Sequence, residues 1–306
     1  MKSGAAWIAC AKPSLKRRFL DELSDGELMA LPYLFEFWAL KHQLHPLINC
    51  KTWIILDGRG SGKTRTGAEW VRSQVQGALP ETLGAAKRIA LIGDTYEQAR
   101  DVMVHGESGI LACSPADRRP LWQASRRRLL WPNGAIAEIC SAYDYEALRG
   151  RQFDAAWADE LAKWKHADKA WDMLQFTLRL GENPRQCVST TPRNMQLLKT
   201  LMAAPSSCIT HAPTEANKAN LAVSFLEEVR PTAPAICNYV SKPRQLNLRG
   251  CAAAALTRIC GMRVIFRLPK PQSATAFAFW HKARFCARPI PSDQFGSMKM
   301  RGIFLI

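Results

Sequence analysis

The sequence lacks the long apolar runs that membrane spans require. A membrane-spanning helix needs about 20 predominantly apolar residues, and the most apolar stretch, residues 30–40, is interrupted by Pro32 and Glu36. The N-terminus also lacks the extended apolar core and the cleavage site of a secretory signal peptide. We therefore expect a cytoplasmic protein that has no membrane partner.

Cysteines spaced as C-x-x-C pairs are missing as well. The ten cysteines are scattered along the chain without a single C-x-x-C pair, so the spacing of a zinc ribbon is absent. Cytosolic proteins keep their thiols reduced. The cysteines are accordingly expected to remain thiols and to serve as small apolar residues of the core.

Acidic residues are almost absent from the last quarter of the chain. The 306 residues include 42 Lys and Arg against 26 Asp and Glu, which gives a net charge of +16. Residues 231–306 hold 12 of the basic residues and one acid, Asp293. A basic excess of this size favours a polyanionic partner, most simply nucleic acid.

What the sequence does contain is an alternation of short apolar runs with amphipathic segments. Apolar runs predict strands at residues 52–56, 88–93, 153–158 and 187–190, and amphipathic segments predict helices at 64–76, 96–104 and 165–180. This order predicts an α/β fold with a mostly parallel sheet flanked by helices. Residues 15–40 predict two short helices joined at Ser24, which has a capping signal completed by Glu27.

The changes of composition and periodicity along the chain predict three parts. Residues 1–45 are expected to form an N-terminal helical segment, residues 46–230 the α/β domain, and residues 231–306 a basic tail. The tail shows no sustained period of 2 or 3.6, so we expect it to be poorly structured.

A phosphate-binding loop follows the first predicted strand and opens a predicted helix, which is the context a P-loop requires. Its glycines let backbone N–H groups converge on phosphate oxygens at the positive end of a helix. Lys63 would reach the β- and γ-phosphates of a nucleotide, and the hydroxyl of Thr64 would ligate Mg²⁺. The residues predicted to bind the nucleotide are Gly58, Gly60, Ser61, Gly62, Lys63 and Thr64. With this loop, residues 46–230 are predicted to be a P-loop NTPase domain.

One residue departs from the P-loop pattern. G-x-x-x-x-G-K-[ST] has glycine at the position of Asp57. A carboxylate at the mouth of a triphosphate site repels the ligand unless its side chain turns away or pairs with Arg59. The alternative interpretation of the whole loop is a flexible turn with an incidental lysine, which the flanking strand and helix disfavour.

Two adjacent carboxylates, Asp159 and Glu160, end the strand predicted at residues 153–158. In a P-loop ATPase the first would hold Mg²⁺ and the second would orient or deprotonate the attacking water. Adjacent residues at a strand end point to different sides, so the two can address different groups. The alternative is that Asp159 caps the next helix.

The next strand ends in the hydroxyl side chains of Ser189, Thr190 and Thr191. Hydroxyls at this place can sense the γ-phosphate and pass its presence on to a neighbouring segment. The alternative is a capped strand-to-helix turn. Among the arginines, Arg59 is the best candidate to supply charge in the transition state, since the loop itself carries it.

Several segments in a fixed order together resemble the large terminase subunits of phages, the motors that package DNA. They are most similar to those of gene transfer agents and related prophages. The resemblance covers about residues 15–230 and depends on residues 56–70, 95–103, 131–134, 148–150, 153–164 and 190–193.

The resemblance implies roles for particular residues and ATP with Mg²⁺ as ligands. Lys63 and Thr64 would bind nucleotide and Mg²⁺, Arg59 would be the P-loop arginine, Asp159 the Walker B aspartate, and Glu160 the catalytic glutamate. Gln43 would contact adenine, and Thr190 and Thr191 would form the coupling motif.

The resemblance also implies partners and a cellular setting. These are double-stranded DNA, a portal, a small terminase subunit and further copies of the chain in a ring on the portal. The expected setting is the cytoplasm of a bacterial cell that carries a prophage or a gene transfer agent.

The second half of the family is an RNase H-like nuclease, whose chemistry requires several carboxylates to hold two metal ions. Residues 231–306 supply Asp293 alone. We therefore predict a truncated or frameshifted chain without nuclease activity, and the alternative is a genuine DNA-binding tail.

The sequence thus predicts an ATP-hydrolysing motor domain that translocates double-stranded DNA into a procapsid. Two alternatives remain open. One is another P-loop ATPase such as a helicase, although no second ATPase-like lobe is recognisable. The other is a degenerate prophage remnant that binds nucleotide poorly.

Overall fold

The computed structural model describes residues 3–229, and the predicted tail lies outside them. Eight strands form one sheet in the order β3-β4-β5-β2-β6-β7-β1-β8. The strands are β1 (Thr52–Leu56), β2 (Arg88–Gly93), β3 (Leu121–Gln123), β4 (Arg128–Leu130), β5 (Ile136–Ser141), β6 (Ala155–Asp159), β7 (Arg185–Thr190) and β8 (Ser207–Thr210).

Helices precede the sheet in the chain and connect its strands. They are α1 (Gly4–Cys10), α2 (Pro13–Asp21), α3 (Asp25–Ala30), α4 (Phe35–Trp38), α5 (Lys63–Val75), α6 (Tyr96–Gln98), α7 (Ile110–Cys113), α8 (Ala167–Thr177), α9 (Gln196–Ala203) and α10 (Val223–Val229). The predicted α/β fold is confirmed.

The sheet is parallel from β5 to β8, and β3 and β4 form an antiparallel extension at one edge. The hairpin between β4 and β5 turns at Asn133, whose side-chain oxygen accepts a hydrogen bond from the N–H of Ala135 at 3.0 Å. Gly134 completes the turn at φ 81°, a conformation that favours glycine.

The core lies where α5 crosses the central strands. All five residues of β1 and all five of β6 are buried, as expected for parallel strands covered on both faces. A Cβ atom at Gly67 of α5 would lie 2.1 Å from the indole of Trp157. Only glycine allows this close contact, which fixes the position of α5 relative to the middle of β6.

Most predicted elements are present, with shifts that local contacts explain. The helix expected at 165–180 is α8, which ends earlier because Leu178 leaves the helix and Phe153 and Leu178 form a β-bridge. The helix expected at 96–104 continues from α6 as a π-helical segment, Ala99–Val104, in which the N–H of His105 bonds to the carbonyl of Arg100.

The capping signal predicted at Ser24 is a reciprocal capping box at the start of α3. The N–H of Ser24 donates to the Glu27 carboxylate at 2.9 Å, and the N–H of Glu27 donates to the Ser24 hydroxyl at 3.3 Å. Two of the backbone donors that a helix start leaves unpaired are thereby satisfied.

The expectation that all cysteines are reduced is wrong for one pair, because Cys50 and Cys208 form a disulfide. Parallel pairing of β1 with β8 sets Trp53 opposite Cys208 and brings Cys50, two residues before β1, beside β8. Cys10 is exposed and so is not the core residue that was expected. Cys113, Cys140 and Cys187 are buried thiols, as predicted.

A helix that combines the length and the apolar character needed to cross a membrane does not occur within residues 3–229.

Candidate nucleotide-binding site

The predicted site residues come together at the carboxyl ends of three neighbouring strands. Strand β7 lies between β1 and β6 and pairs with both in parallel. The P-loop after β1, the Asp159–Glu160 pair at the end of β6 and the Thr190–Thr191 pair at the end of β7 therefore share one edge of the sheet. In open α/β sheets this is the edge where ligands bind.

The P-loop curls tightly before α5 begins. Gly60 and Gly62 have φ angles of 75° and 91°, which lie in the region that side chains disfavour. A Cβ atom at Gly62 would come within 2.4 Å of the Gln43 side-chain nitrogen. The loop therefore leads into the positive N-terminal end of a 13-residue helix.

The environment of Ser61 indicates whether this loop can bind a phosphate. Its side chain is fully buried, and its hydroxyl has no hydrogen-bond partner among the described residues. Leaving a buried donor unpaired costs about 1–3 kcal/mol. An unpaired hydroxyl inside a glycine-rich loop at a helix N-terminus fits a ligand that brings its own oxygen acceptors.

Lys63 places its ammonium between the P-loop and the acidic pair. Its Nζ donates to the carbonyls of Asp57 at 3.2 Å and Gly58 at 2.9 Å, and it lies 3.7 Å from Oε1 of Glu160. Burial lowers the pKa of Lys63, and the Glu160 carboxylate opposes that shift. The cation is thus held at the place where phosphates would enter.

Asp159 is oriented by a chain of buried hydrogen bonds. The indole N–H of Trp157 donates to the Ser189 hydroxyl at 2.8 Å, which donates to Oδ1 of Asp159 at 2.7 Å. Burial raises the pKa of Asp159 to about 6, although the Ser189 hydrogen bond opposes this. A divalent cation would favour the ionised form, so the carboxylate fits a metal ligand. It does not cap a helix.

Glu160 turns away from Asp159 because its backbone adopts a left-handed conformation at φ 50°. Its N–H donates to the carbonyl of Ser189 at 2.6 Å, which holds the turn. Its carboxylate accepts a hydrogen bond from the Thr191 hydroxyl at 3.3 Å and faces Nζ of Lys163 at 3.5 Å. Positive φ in a non-glycine residue costs about 1–3 kcal/mol and is concentrated at functional sites.

The side chain of Asp57 turns away from the mouth of the loop and does not pair with Arg59. Its carboxylate is fully buried, accepts a hydrogen bond from the N–H of Ala212 at 2.6 Å and lies 3.4 Å from Nε2 of His42. Burial raises its pKa, and the neighbouring His42 opposes the rise. Arg59 is exposed and makes no ion pair with Asp57 within residues 3–229.

Replacing Asp57 by the glycine of the P-loop pattern is expected to destabilise the protein. Asp57→Gly leaves the buried N–H of Ala212 without its acceptor and removes the carboxylate beside the His42 ring, which costs about 1–3 kcal/mol. Asp57→Asn keeps an acceptor for Ala212 and is expected to cost less. Urea unfolding of both variants measures the difference, and an Asp57→Gly variant as stable as the wild type would contradict it.

Three further contacts at the P-loop carry no sequence signal. Nδ2 of Asn217 donates to the carbonyl of Gly60 at 2.7 Å, and a Cβ atom at Gly60 would lie 3.0 Å from Leu221 and 3.2 Å from Phe225. These residues precede or lie in α10, more than 150 positions after the loop. Pairing over such a distance in sequence depends on the sheet order.

The structure brings Gln43 to the P-loop, where Nε2 is 3.4 Å from the carbonyl of Gly62. Its Oε1 accepts a hydrogen bond from the N–H of Leu40 at 2.8 Å, which fixes the amide. Thr64 is half-buried in the first turn of α5. Thr190 is fully buried, and its hydroxyl accepts a hydrogen bond from the N–H of Ala162 at 3.1 Å.

Comparison with known proteins places the chain beside phage large terminases. The family model described as terminase large subunit, T4likevirus-type, N-terminal, matches residues 54–225, which is more than half of the chain. A comparison with curated proteins found no match.

Solved structures similar to this chain include the ATPase domain of the Thermus phage P74-26 large terminase. That domain is 18% identical over 69% of this chain and 93% of its own length, with a TM-score of 0.46. A mutant of the same domain is 18% identical over 61% and 86%, with a TM-score of 0.43. The large terminase of a thermophilic bacteriophage, solved in complex with ADP, is 14% identical over 68% of this chain and 50% of its own, with a TM-score of 0.48.

Proposed function

The chain belongs to the T4likevirus-type family of phage terminase large subunits, and on that premise we propose that it is an ATP-hydrolysing motor that moves double-stranded DNA into a procapsid. The observation that carries this proposal is the meeting of Lys63 with Glu160, 3.7 Å from Nζ to Oε1. It joins a phosphate-binding loop to a carboxylate that can activate water.

The nucleotide is proposed to bind along the P-loop. Its phosphates would accept hydrogen bonds from the loop N–H groups, the Ser61 hydroxyl and Nζ of Lys63, which now donates to loop carbonyls. Gln43 lies against Gly62 and would contact the base. The proposed nucleotide ligands are Gly58, Gly60, Ser61, Gly62, Lys63, Thr64 and Gln43.

Thr64 and Asp159 would hold Mg²⁺, which neutralises charge on the β- and γ-phosphates. The fully buried hydrogen bond from Ser189 keeps one oxygen of Asp159 fixed and leaves the other available. The inward turn of Asp57 removes the repulsion that its presence in the loop would otherwise cause, which supports nucleotide binding over the reading of a degenerate remnant.

Glu160 is proposed to act as the general base. It accepts a proton from a water that attacks the γ-phosphorus, while the bond from that phosphorus to the bridging oxygen breaks and ADP leaves. Lys63 and Arg59 would stabilise the charge on the transferred group. Arg59 is exposed at the loop and would reach the phosphate by a change of side-chain conformation.

Thr191 is proposed to couple the nucleotide state to the rest of the motor. Its hydroxyl donates to the Glu160 carboxylate, and Thr190 ties the same strand end to Ala162. A change at the γ-phosphate that moves Glu160 would therefore move the segment after β7.

Double-stranded DNA is the proposed substrate, with the portal, the small terminase subunit and further copies of the chain as partners. Two cation–aromatic pairs, whose lysines are exposed, support contact with a polyanion. Nζ of Lys165 lies 5.4 Å from the ring of Tyr143, and Nζ of Lys169 lies 5.7 Å from the ring of Tyr145. Such basic and aromatic surfaces bind phosphates and bases.

The remaining expectations stay part of this proposal. They are the three-part division at residues 45 and 230, an origin in a gene transfer agent or prophage, and a cytoplasmic setting. Residues 231–306 contain Asp293 as their single acid, too few carboxylates for a two-metal nuclease.

The direct test is ATP hydrolysis by the full chain with and without linear double-stranded DNA. We expect turnover that DNA stimulates and that salt weakens, because phosphate contacts release counterions. Absence of turnover in both conditions would favour the remnant, and duplex unwinding without a procapsid would favour the helicase.

Within the same experiment, Thr191→Val is expected to reduce DNA-stimulated turnover by about 10- to 100-fold, since a hydrogen bond to a charged group contributes about 1.5–3 kcal/mol. Thr191→Ser keeps the hydroxyl and is expected to retain most of the stimulation. Equal rates in the two variants would contradict a role for this hydrogen bond.

A further inference from the structure

Three potential metal ligands from two segments meet at the amino end of β1, on the opposite side of the sheet from the P-loop. His45 and Cys50 precede β1, and Cys208 lies in β8. One ligand atom from each lies within 4.8 Å of the other two. Both cysteines are buried, at 5% and 4% exposed.

The orientation of His45 suits a metal ligand. Its Nδ1 lies 2.7 Å from the carbonyl of Pro46. A carbonyl can only accept, so Nδ1 carries the proton of the neutral ring. The lone pair is then on Nε2, which faces Sγ of Cys50 at 3.8 Å. Metal-binding histidines characteristically donate their other ring N–H to a backbone carbonyl in this way.

The spacing of His45 and Cys50 suits a tetrahedral zinc site. Zinc bonds of about 2.3 Å to sulfur and about 2.0 Å to nitrogen set sulfur and nitrogen ligands roughly 3.5 Å apart at tetrahedral angles. The 3.8 Å from Nε2 of His45 to Sγ of Cys50 is close to that separation. The T-shaped contact of His45 with Trp53, 5.1 Å between centroids, supports the ring.

We propose that Cys50, Cys208 and His45, once the disulfide is reduced, form a binding site for a thiophilic divalent cation of the zinc class. The set of two sulfurs and one imidazole selects such an ion over Mg²⁺, which prefers oxygen. Three protein ligands leave the fourth tetrahedral position for water. This site is separate from the proposed nucleotide site and does not depend on the proposed function.

The two states of the cluster differ by a balanced exchange. A dithiol reductant gives two electrons and two protons to the Cys50–Cys208 disulfide and becomes a disulfide itself. The cation then replaces the two thiol protons, which leave to solvent. Two thiolates neutralise the double charge of the cation, and that neutrality is what a buried site requires.

The state of the cluster affects the segment that connects it to the P-loop. Residues 42–50 carry His42 and Gln43 at the P-loop and His45 and Cys50 at the cluster. Disulfide and metal are alternative ways of fastening this segment to β8. A bound cation is therefore expected to raise the melting temperature of the reduced chain.

The test is titration of the full, phosphine-reduced chain with Co²⁺ under anaerobic conditions. Four cysteines lie outside residues 3–229, so the reference protein carries serine at positions 237, 251, 260 and 286. We expect thiolate-to-cobalt charge-transfer absorption that saturates at one Co²⁺ per chain and is displaced by one equivalent of Zn²⁺. Cys50→Ser and Cys208→Ser should abolish it, His45→Ala should weaken binding at least tenfold, and Cys10→Ser should leave it unchanged.

A second measurement covers variants that fail to fold. In the reduced wild-type chain, one equivalent of Zn²⁺ is expected to protect Cys50 and Cys208 from alkylation, read by mass spectrometry of their peptides, and to leave Cys10 reactive. Absence of charge transfer, absorption that persists in Cys50→Ser, or alkylation unaffected by Zn²⁺ would each overturn the proposal and leave the pair as a disulfide only.

Discussion

A chain carrying Glu160→Gln is expected to bind ATP with nearly unchanged affinity and to hydrolyse it at least about 100-fold more slowly, the usual range for loss of a general base. The amide keeps the size of the carboxylate and can still accept from the Thr191 hydroxyl. It cannot take a proton from water. Phosphate release measures turnover, and a fluorescent ATP analogue measures binding.

Glu160, and not Asp159, is proposed as the general base because of the position of its carboxylate. It is the member of the acidic pair that faces Nζ of Lys63, whereas Asp159 faces Ser189. Glu107→Gln is the matched control because Glu107 is exposed and distant in sequence from the site. If Glu160→Gln retained more than a third of wild-type turnover, the base would have to be another group.

Replacing Lys63 by methionine is expected to weaken ATP binding at least about 100-fold, since two charge-assisted hydrogen bonds to phosphate contribute about 1.5–3 kcal/mol each. Lys63 is 7% exposed, so an unbranched apolar side chain fits the same space. Methionine removes the ammonium without opening a cavity. Titration with the fluorescent analogue measures the loss.

Two further variants separate the effect of the Lys63 charge on ATP binding from the effect of its side-chain volume. Lys87→Met removes an exposed lysine that directly precedes β2, and this variant should bind ATP like the wild type. Lys63→Arg keeps a cation but enlarges a buried side chain and should restore little binding. An affinity of Lys63→Met within threefold of the wild type would show that the loop does not bind phosphate as proposed.

Local patterns were sufficient for the elements that carry the site. The strand at 52–56, the glycine-rich turn and the start of α5 follow one another within 13 residues, and each has its own propensity signal. The capping box at Ser24 and the hairpin turn at Asn133 are also local, because the side chain and the backbone group that it bonds lie within three positions. Such features can be read without knowing where the strands lie in the sheet.

The cysteine prediction failed because it depended on a distant pairing. Cys50 and Cys208 are separated by 158 positions, and their approach follows from β8 joining β1 at the edge of the sheet. No spacing pattern signals a pair that is created by strand order. The pairing of β8 with β1 also places His45, which precedes β1, beside the two sulfurs.

Sequence patterns alone predicted the candidate residues for phosphate and metal binding, because the loop, the acidic pair and the hydroxyls each follow a predicted strand. Only the tertiary structure decided how they face one another. The order β6-β7-β1-β8 sets Glu160 against Lys63, connects Trp157 through Ser189 to Asp159, and brings Asp57 to Ala212. Each contact joins residues at least 15 positions apart, and their directions follow from strand pairing, which local propensity does not encode.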